Sequence, residues 1–191
     1  SFSPVGSLLL SALAPLTLAH TVAFTSFPSF YAHWRQYLEK KWLSKPQSQF
    51  STKTLDVKQS AARLAGIFKS LGMRQATDFA PLLLVLGHGA SSLNNPYYSA
   101  YNCGACAGRE GGSNARLFAQ LANDEAVRRE LAATHNIVIP PSTYVVGGLH
   151  DTTADRIDLP DTHRAPESHR AAIDHAHTLA EQAVRRNAAE R

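Results

Sequence analysis

The chain opens on an apolar run, Leu8 to Phe24 (LLLSALAPLTLAHTVAF), about as long as a bilayer-spanning segment. Pro15, His20 and several hydroxyl residues interrupt it, so the run predicts a buried or interfacial helix ahead of a transmembrane one. No basic stretch precedes it and no small-x-small cleavage site clearly follows, which makes it a poor signal peptide. Phe30 to Leu43 places aromatic and aliphatic residues at helical spacing with charges between them, and its two Trp read as core anchors. Lys45 to Thr54 is polar and contains Pro, and reads as a linker or surface loop. Leu55 to Leu71 is an amphipathic helix by pattern, with Thr54 as the expected N-cap and Gly72 as its stop.

Leu82 to Leu86 (LLLVL) has the look of a short strand buried on both faces, which Gly87-His88-Gly89 is expected to break abruptly. A long loop rich in Ser, Asn, Gly and Tyr then leads to a helix predicted from about Asn114 to Ala133. Ile137 to Pro141 and Thr143 to Val146 bracket a second extended region that finishes in Gly147-Gly148. From about Pro166 to Arg191 the pattern is an Ala-rich, charged helix with little apolar surface. The order helix, buried strand, long loop, helix, strand predicts an α/β fold with a mostly parallel sheet flanked by helices. Three stretches follow: an apolar and aromatic segment with linker at 1–54, an α/β half-domain at 55–160, and the charged tail at 161–191. In parallel sheets ligands sit at the carboxyl ends of strands, which is where His88 and the long loop begin.

Composition narrows the picture. With 191 residues, 44% hydrophobic and 18% charged, the chain suits one ordinary globular domain with a real core. The net charge of +4 is mild, and Lys and Arg are scattered without long like-charge runs or basic-aromatic interleaving, which argues against nucleic acid as partner. A start at Ser1, inside apolar sequence, reads as a processed or excised segment. The two cysteines, Cys103 and Cys106, form one close pair; this suggests a reducing compartment with metal or redox chemistry.

Imidazole and thiolate together suit zinc, so His88 with Cys103 and Cys106 is the first candidate constellation. Three readings of Cys-Gly-Ala-Cys stand side by side. A redox dithiol usually opens a helix directly after a strand, whereas here Ser99 to Asn102 precede the pair and Ala107-Gly108 follow. A structural zinc knuckle wants a second paired set, for which only His163, His169, His175 and His177 of the tail are on offer. Alternatively one cysteine is a ligand and the other packs. Gly108 to Gly112, ahead of a helix, could bind an anion through backbone amides, but it lacks the P-loop pattern. Arg116 could hold a carboxylate or bicarbonate, or make a surface salt bridge. His150 could shuttle protons, with Asp151 and Thr152 as caps. Ser91 lacks a nucleophile elbow and is set aside.

Taken in order, Gly87-His88-Gly89, Asn94-Asn95-Pro96, Cys103-Gly104-Ala105-Cys106-Ala107-Gly108, Asn114-Ala115-Arg116, Ile137-Val138-Ile139-Pro140 and His150 to Asp155 closely resemble the DabA family. The resemblance is dense from about Leu82 to Asp155, thin from Ser1 to Ala80 and undetectable in the tail. It implies a subunit of an energy-coupled inorganic carbon pump, with a zinc site similar to that of β-carbonic anhydrases and a β-carbonic anhydrase-like fold that is part of a larger protein. It implies that His88 and Cys103 are zinc ligands, joined by a Cys and an Asp from an upstream Cys-x-Asp-x-Arg segment. That segment has no counterpart here, since Cys103 and Cys106 are the only cysteines. The missing pair then lies on a separate chain or on another part of the subunit, or this piece is catalytically dead.

The resemblance further implies CO2 and bicarbonate as reactants, with His88 and Cys103 as catalytic residues and Zn2+ as cofactor; His150 joins them as a catalytic candidate only through the proton-shuttle reading of its imidazole. It implies a membrane antiporter-like partner (DabB-type) and a peripheral position on the cytoplasmic face of the cell membrane. Two alternatives from other classes remain: a thiol redox module on Cys103 and Cys106, and a non-catalytic domain that docks on a membrane partner.

Overall fold

The computed structural model describes residues 4–27, 30, 31, 34, 37, 38, 55–91 and 101–190. Two compact units are present, Ser1–Gln49 and Phe50–Arg191. In the first, α1 (Pro4–Ser26) carries Pro15 inside it and no acidic residue in its first turn or basic one in its last. The burial expected for this helix is not seen: residues 11–22 are exposed. Thr17, Thr21 and Thr25 each donate a hydroxyl to the carbonyl four residues earlier, at 3.2, 2.8 and 2.8 Å, so these hydroxyls are satisfied within the helix itself. Among the described residues no helix is long and apolar enough to cross a membrane. The helix expected over Phe30 to Leu43, and the linker to Thr54, fall mostly or wholly outside the described residues.

The second unit begins with α2 (Val57–Ser70). Asp56, rather than Thr54, is its N-cap and accepts from the Lys58 amide at 3.0 Å. Gly72 stops the helix at φ +74°, with Met73 N donating to Phe68 O and Gly72 N to Lys69 O, the paired bonds of a Schellman ending. Strand β1 (Leu82–Gly89) follows. The expected single helix from Asn114 is in fact two, α3 (Gly112–Asn123) and α4 (Glu125–His135). Asp124 breaks the run: its extended backbone ends α3 while its carboxylate caps α4, accepting from Ala126 and Val127 amides at 2.9 and 3.0 Å. Strand β2 (Tyr144–Asp151) runs through Gly147-Gly148 rather than ending there; β3 (Arg156–Asp158) and α5 (Arg170–Glu190) complete the fold.

The sheet has the order β1-β2-β3. It is mixed, not mostly parallel: β1 pairs β2 in parallel from Leu82↔Tyr144 to Gly89↔Asp151, but β2 pairs β3 antiparallel. The reason is the connection. Only Thr152 to Asp155 join β2 to β3, with Asp155 at φ 46°, and so short a turn reverses the chain and cannot make a parallel crossover. One sheet face packs Leu83, Val85 and Val145 against α2, α3 and α4, where Phe68 meets Phe79 and Phe118 edge-on at 5.3 and 5.5 Å. The other face packs Leu82, Leu84 and Val146 against Leu159, Ala165 and Ile173 of α5.

The two glycines around His88 do not break the strand. They lie inside β1, where the start of α3 sits directly over Gly87 and the Leu149 side chain over Gly89. A Cβ on Gly87 would stand 2.2 Å from the Gly111 carbonyl carbon, and one on Gly147 would stand 2.4 Å from Ala115 O. Glycine here permits close backbone approach.

Candidate functional site

The carboxyl ends of β1 and β2 hold the candidate residues. His88 and His150 are direct register partners in the parallel pair, so both side chains stand on one face of the sheet about 4.8 Å apart along the ladder direction. That face is the one opposite α3. His88 is exposed and His150 half-buried.

The long loop returns to His88. His88 Nε2 is 2.8 Å from the Tyr101 carbonyl, two residues before Cys103. Buried Asn102 accepts from the Ala90 amide at 3.0 Å, and Gly111 N donates to His88 O at 2.7 Å. Three bonds thus fasten the cysteine segment to the end of β1. Between them the chain makes a tight knuckle. Cys103 N donates to Arg109 O, and Cys103 O accepts from both Cys106 N and Gly108 N. Ala107 at φ 55° and Gly108 at φ 72° carry the left-handed turn that closes it. For Ala this conformation is uncommon and is held by the surrounding bonds.

Cys103 and Cys106 are free thiols and half-buried. A hydrogen bond from the Cys106 thiol lowers the Cys103 pKa; burial works against this, and the amides of Cys106 and Ala105 add to it. Cys106 is raised for the reciprocal reason, as it donates to Cys103, and burial and the Cys103 charge act in the same direction; Asn114 Nδ2, 3.3 Å from Cys106 Sγ, opposes them. Of the two thiols, Cys103 is thus the one whose ionisation the knuckle favours.

Asp151, at the end of β2, is the feature that residue spacing did not single out beyond a capping role. It is buried, and Oδ1 accepts from the amides of Ser91, Thr153 and Ala154 at 3.0, 3.2 and 3.1 Å and from the Thr153 hydroxyl at 2.9 Å. Burial alone would raise its pKa, but these bonds, led by Ser91, bring it down to about 2. Asp151 caps the β2–β3 turn and also pins the chain leaving β1. The clustering of His, Asp and Thr in His150 to Thr153 was its only sequence signal. Ser91 is held in this clamp and not presented as a nucleophile.

Arg116 lies elsewhere. Its Nε and Nη2 grip Asp161 at 2.6 and 3.1 Å, side by side with Tyr144 and Arg164 in a cavity of about 170 Å3. The Arg116 guanidinium leads the causes that hold Asp161 below the ordinary carboxylate range. Asp161 already occupies the Nε and Nη2 side of this guanidinium, so an anion there would compete with its carboxylate. In the Gly108 to Gly112 loop, the amides of Gly108, Arg109 and Gly111 already donate to the Cys103, Cys106 and His88 carbonyls and are not open to an anion. The tail histidines stand apart; His169 Nε2 lies 2.9 Å from Ser142 O and His163 Nδ1 3.3 Å from Pro160 O. Among the described residues no three His, Cys, Asp or Glu side chains converge to hold a metal ion.

Comparison with known proteins gives this geometry its family. The sequence model described as "Probable inorganic carbon transporter subunit DabA" matches residues 3–191. The chain belongs to the DabA family. A relative from Sorangium cellulosum (strain So ce56), named probable inorganic carbon transporter subunit DabA 1, is 42% identical over 180 residues, covering 88% of this chain and 17% of its own length. The DabA relative from Vibrio cholerae serotype O1 (strain M66-2) is 36% identical over 88% of this chain and 19% of its own. That from Rhodopseudomonas palustris (strain TIE-1) is 53% identical over 50% of this chain and 12% of its own. This DabA-family chain therefore spans less than a fifth of the length of these curated relatives. No solved structure matches it.

Proposed function

We propose that this chain is the His88–Cys103 half of a zinc site in an inorganic carbon transporter subunit, acting on CO2 and bicarbonate. The other ligands, a Cys and an Asp, come from the remaining length of the same subunit. The observation that carries the reading is the tie between His88 Nε2 and the Tyr101 carbonyl at 2.8 Å. A carbonyl only accepts, so Nε2 is the donor, and Nδ1 is the nitrogen left to offer a lone pair to a metal. An imidazole anchored in this way through one nitrogen is prepared to coordinate through the other. The same contact draws His88 toward the segment bearing Cys103, the cysteine favoured as thiolate. One imidazole and one thiolate match the donor chemistry of zinc, and two ligands are half of a four-coordinate set.

A bound zinc would supply Lewis acidity, lowering the pKa of its water to about 7. Around it, this chain's residues have separate tasks. Asp151 holds Ser91 and so fixes the exit of β1 behind His88. His150, beside His88 on the same face, accepts or returns the proton exchanged when CO2 and bicarbonate interconvert. Arg116 would hold bicarbonate in competition with Asp161, which already takes its Nε and Nη2. Ligands at the carboxyl ends of parallel strands agree with a β-carbonic anhydrase-like arrangement. The transporter-subunit names support a membrane partner, which we assign as an antiporter-like (DabB-type) subunit coupling uptake to a cation gradient, with this subunit on the cytoplasmic face of the membrane.

The test is metal content in the full-length subunit. Wild type should carry about one zinc per chain, His88→Ala and Cys103→Ser should lose it, and Cys106→Ser should keep it. Retention by both ligand variants contradicts the proposal. The thiol contact between Cys106 and Cys103 favours one second reading, a redox dithiol. That reading requires both sulfurs, so loss of carbon uptake in Cys106→Ser with zinc retained would favour it.

A further inference from the structure

Strand β1 is an edge strand here, yet its sequence is that of an interior one. Tyr144 N donates to Pro81 O at 2.8 Å and Thr152 N to Gly89 O at 2.9 Å, at the two ends of the β1–β2 ladder. Backbone groups alternate along a strand, so the odd-numbered residues of β1 face β2 and the even-numbered ones face the other edge. His88 O, on that other edge, is taken by Gly111 N at 2.7 Å. For Leu82, Leu84 and Leu86 no strand pairs there among the described residues, and the sheet ends at β1.

Both faces of β1 are partly covered. Leu83 and Val85 pack against the helical layer, and Leu82 and Leu84 against the cluster of Val146, Leu159 and Ile173. Edge strands in native proteins are normally shortened, charged, bulged or interrupted by Pro, because an open row of N–H and C=O groups recruits other chains. LLLVL carries none of these guards, and Leu86 is left 39% exposed. A continuous apolar run is the pattern of a strand with neighbours on both edges in a sheet covered on both faces.

We propose that a β-strand from the same polypeptide, outside these 191 residues, adds to the open edge of β1 in the complete subunit. The relatives supply the length: this chain spans 17% and 19% of the two from Sorangium cellulosum. A strand within the same polypeptide pairs at high effective concentration and leaves no aggregation-prone edge. One end of the added strand emerges beside His88, so the same pairing brings residues from elsewhere in the subunit to the site. The pairing is read on backbone amides and stands or falls independently of zinc.

The test is amide hydrogen exchange in the full-length subunit, combined with photo-cross-linking. Leu84 and Leu86 amides, on the open edge, should be protected to within about tenfold of Val85 and Gly87 amides, which face β2. Exchange about a hundredfold faster at Leu84 and Leu86 overturns the proposal. A benzophenone amino acid in place of Leu86 should cross-link within one polypeptide to a peptide outside residues 1–191. Cross-links to a second copy, or to a segment inside these 191 residues, assign the edge to a different occupant and also overturn it.

Discussion

Gly87→Ala asks whether α3 is really seated on the strand that carries His88. The new methyl would lie 2.2 Å from Gly111 C, 2.3 Å from Gly111 O and 2.6 Å from Gly112 N. Carbon–carbon contact is comfortable at roughly 3.5–4.0 Å, so the start of α3 must withdraw by more than about 1 Å. All three obstructing atoms are backbone, and no rotamer change relieves them. The withdrawal also stretches the 2.7 Å bond from Gly111 N to His88 O, worth about 1 kcal/mol, on top of about 1–3 kcal/mol for overpacking. We expect a loss of about 3 kcal/mol, which at about 2–4 °C per kcal/mol lowers the melting temperature by about 10 °C. Gly104→Ala is the control, since nothing lies within 4 Å of its Cβ; it should stay within about 0.5 kcal/mol of wild type. Urea denaturation followed by circular dichroism reads both. If Gly87→Ala matches wild type within about 0.5 kcal/mol, the close approach of α3 to β1 is refuted.

Three other outcomes follow from the same contacts. Asp151, at about 2, ionises below the ordinary 3.8, so its carboxylate stabilises the fold above about pH 4 and loses that effect as pH falls toward 2. Asp151→Asn should cost about 2 kcal/mol at pH 7 and flatten the acid limb of a stability–pH profile; an unchanged limb would exclude the clamp. Arg128 bonds the carbonyls of Ala122, Pro140 and Thr143 and the Asn123 side chain, joining α3, α4 and the entry to β2. Arg128→Met leaves those carbonyls unpaired and should destabilise by about 3 kcal/mol in chemical denaturation, whereas a loss below about 0.5 kcal/mol would show that water replaces the guanidinium. Cys106→Ala removes the donor that lowers Cys103, so the pH midpoint for iodoacetamide alkylation of Cys103 should move up; a midpoint that stays put means the pair does not communicate.

Much of this fold was written in local patterns. The apolar run at Leu82, the stop at Gly72 and the Ala-rich final helix each follow from periodicity and backbone chemistry that act within a few residues. Features that depend on distant partners were not legible in the same way. Asp124 sits inside a helical pattern and ends it, because a capping carboxylate competes with helix continuation. Gly87 reads as a hinge until α3 is seen to lie against it. The antiparallel β3 is too short to signal itself, and Asp151 looked like an ordinary cap because its bond to Ser91 crosses sixty residues of sequence. Within the site, the His88 and Cys103 segments were expected together and are tied together through Tyr101, while Arg116 is taken by Asp161.

X-ray absorption at the zinc edge of the full-length subunit measures the ligand set most directly. Histidine nitrogen and thiolate sulfur should both appear, at about 2.0–2.1 and 2.3 Å, with one sulfur lost in Cys103→Ser and none in Cys106→Ser. A zinc shell unchanged by Cys103→Ser and His88→Ala would place the metal elsewhere and contradict the account.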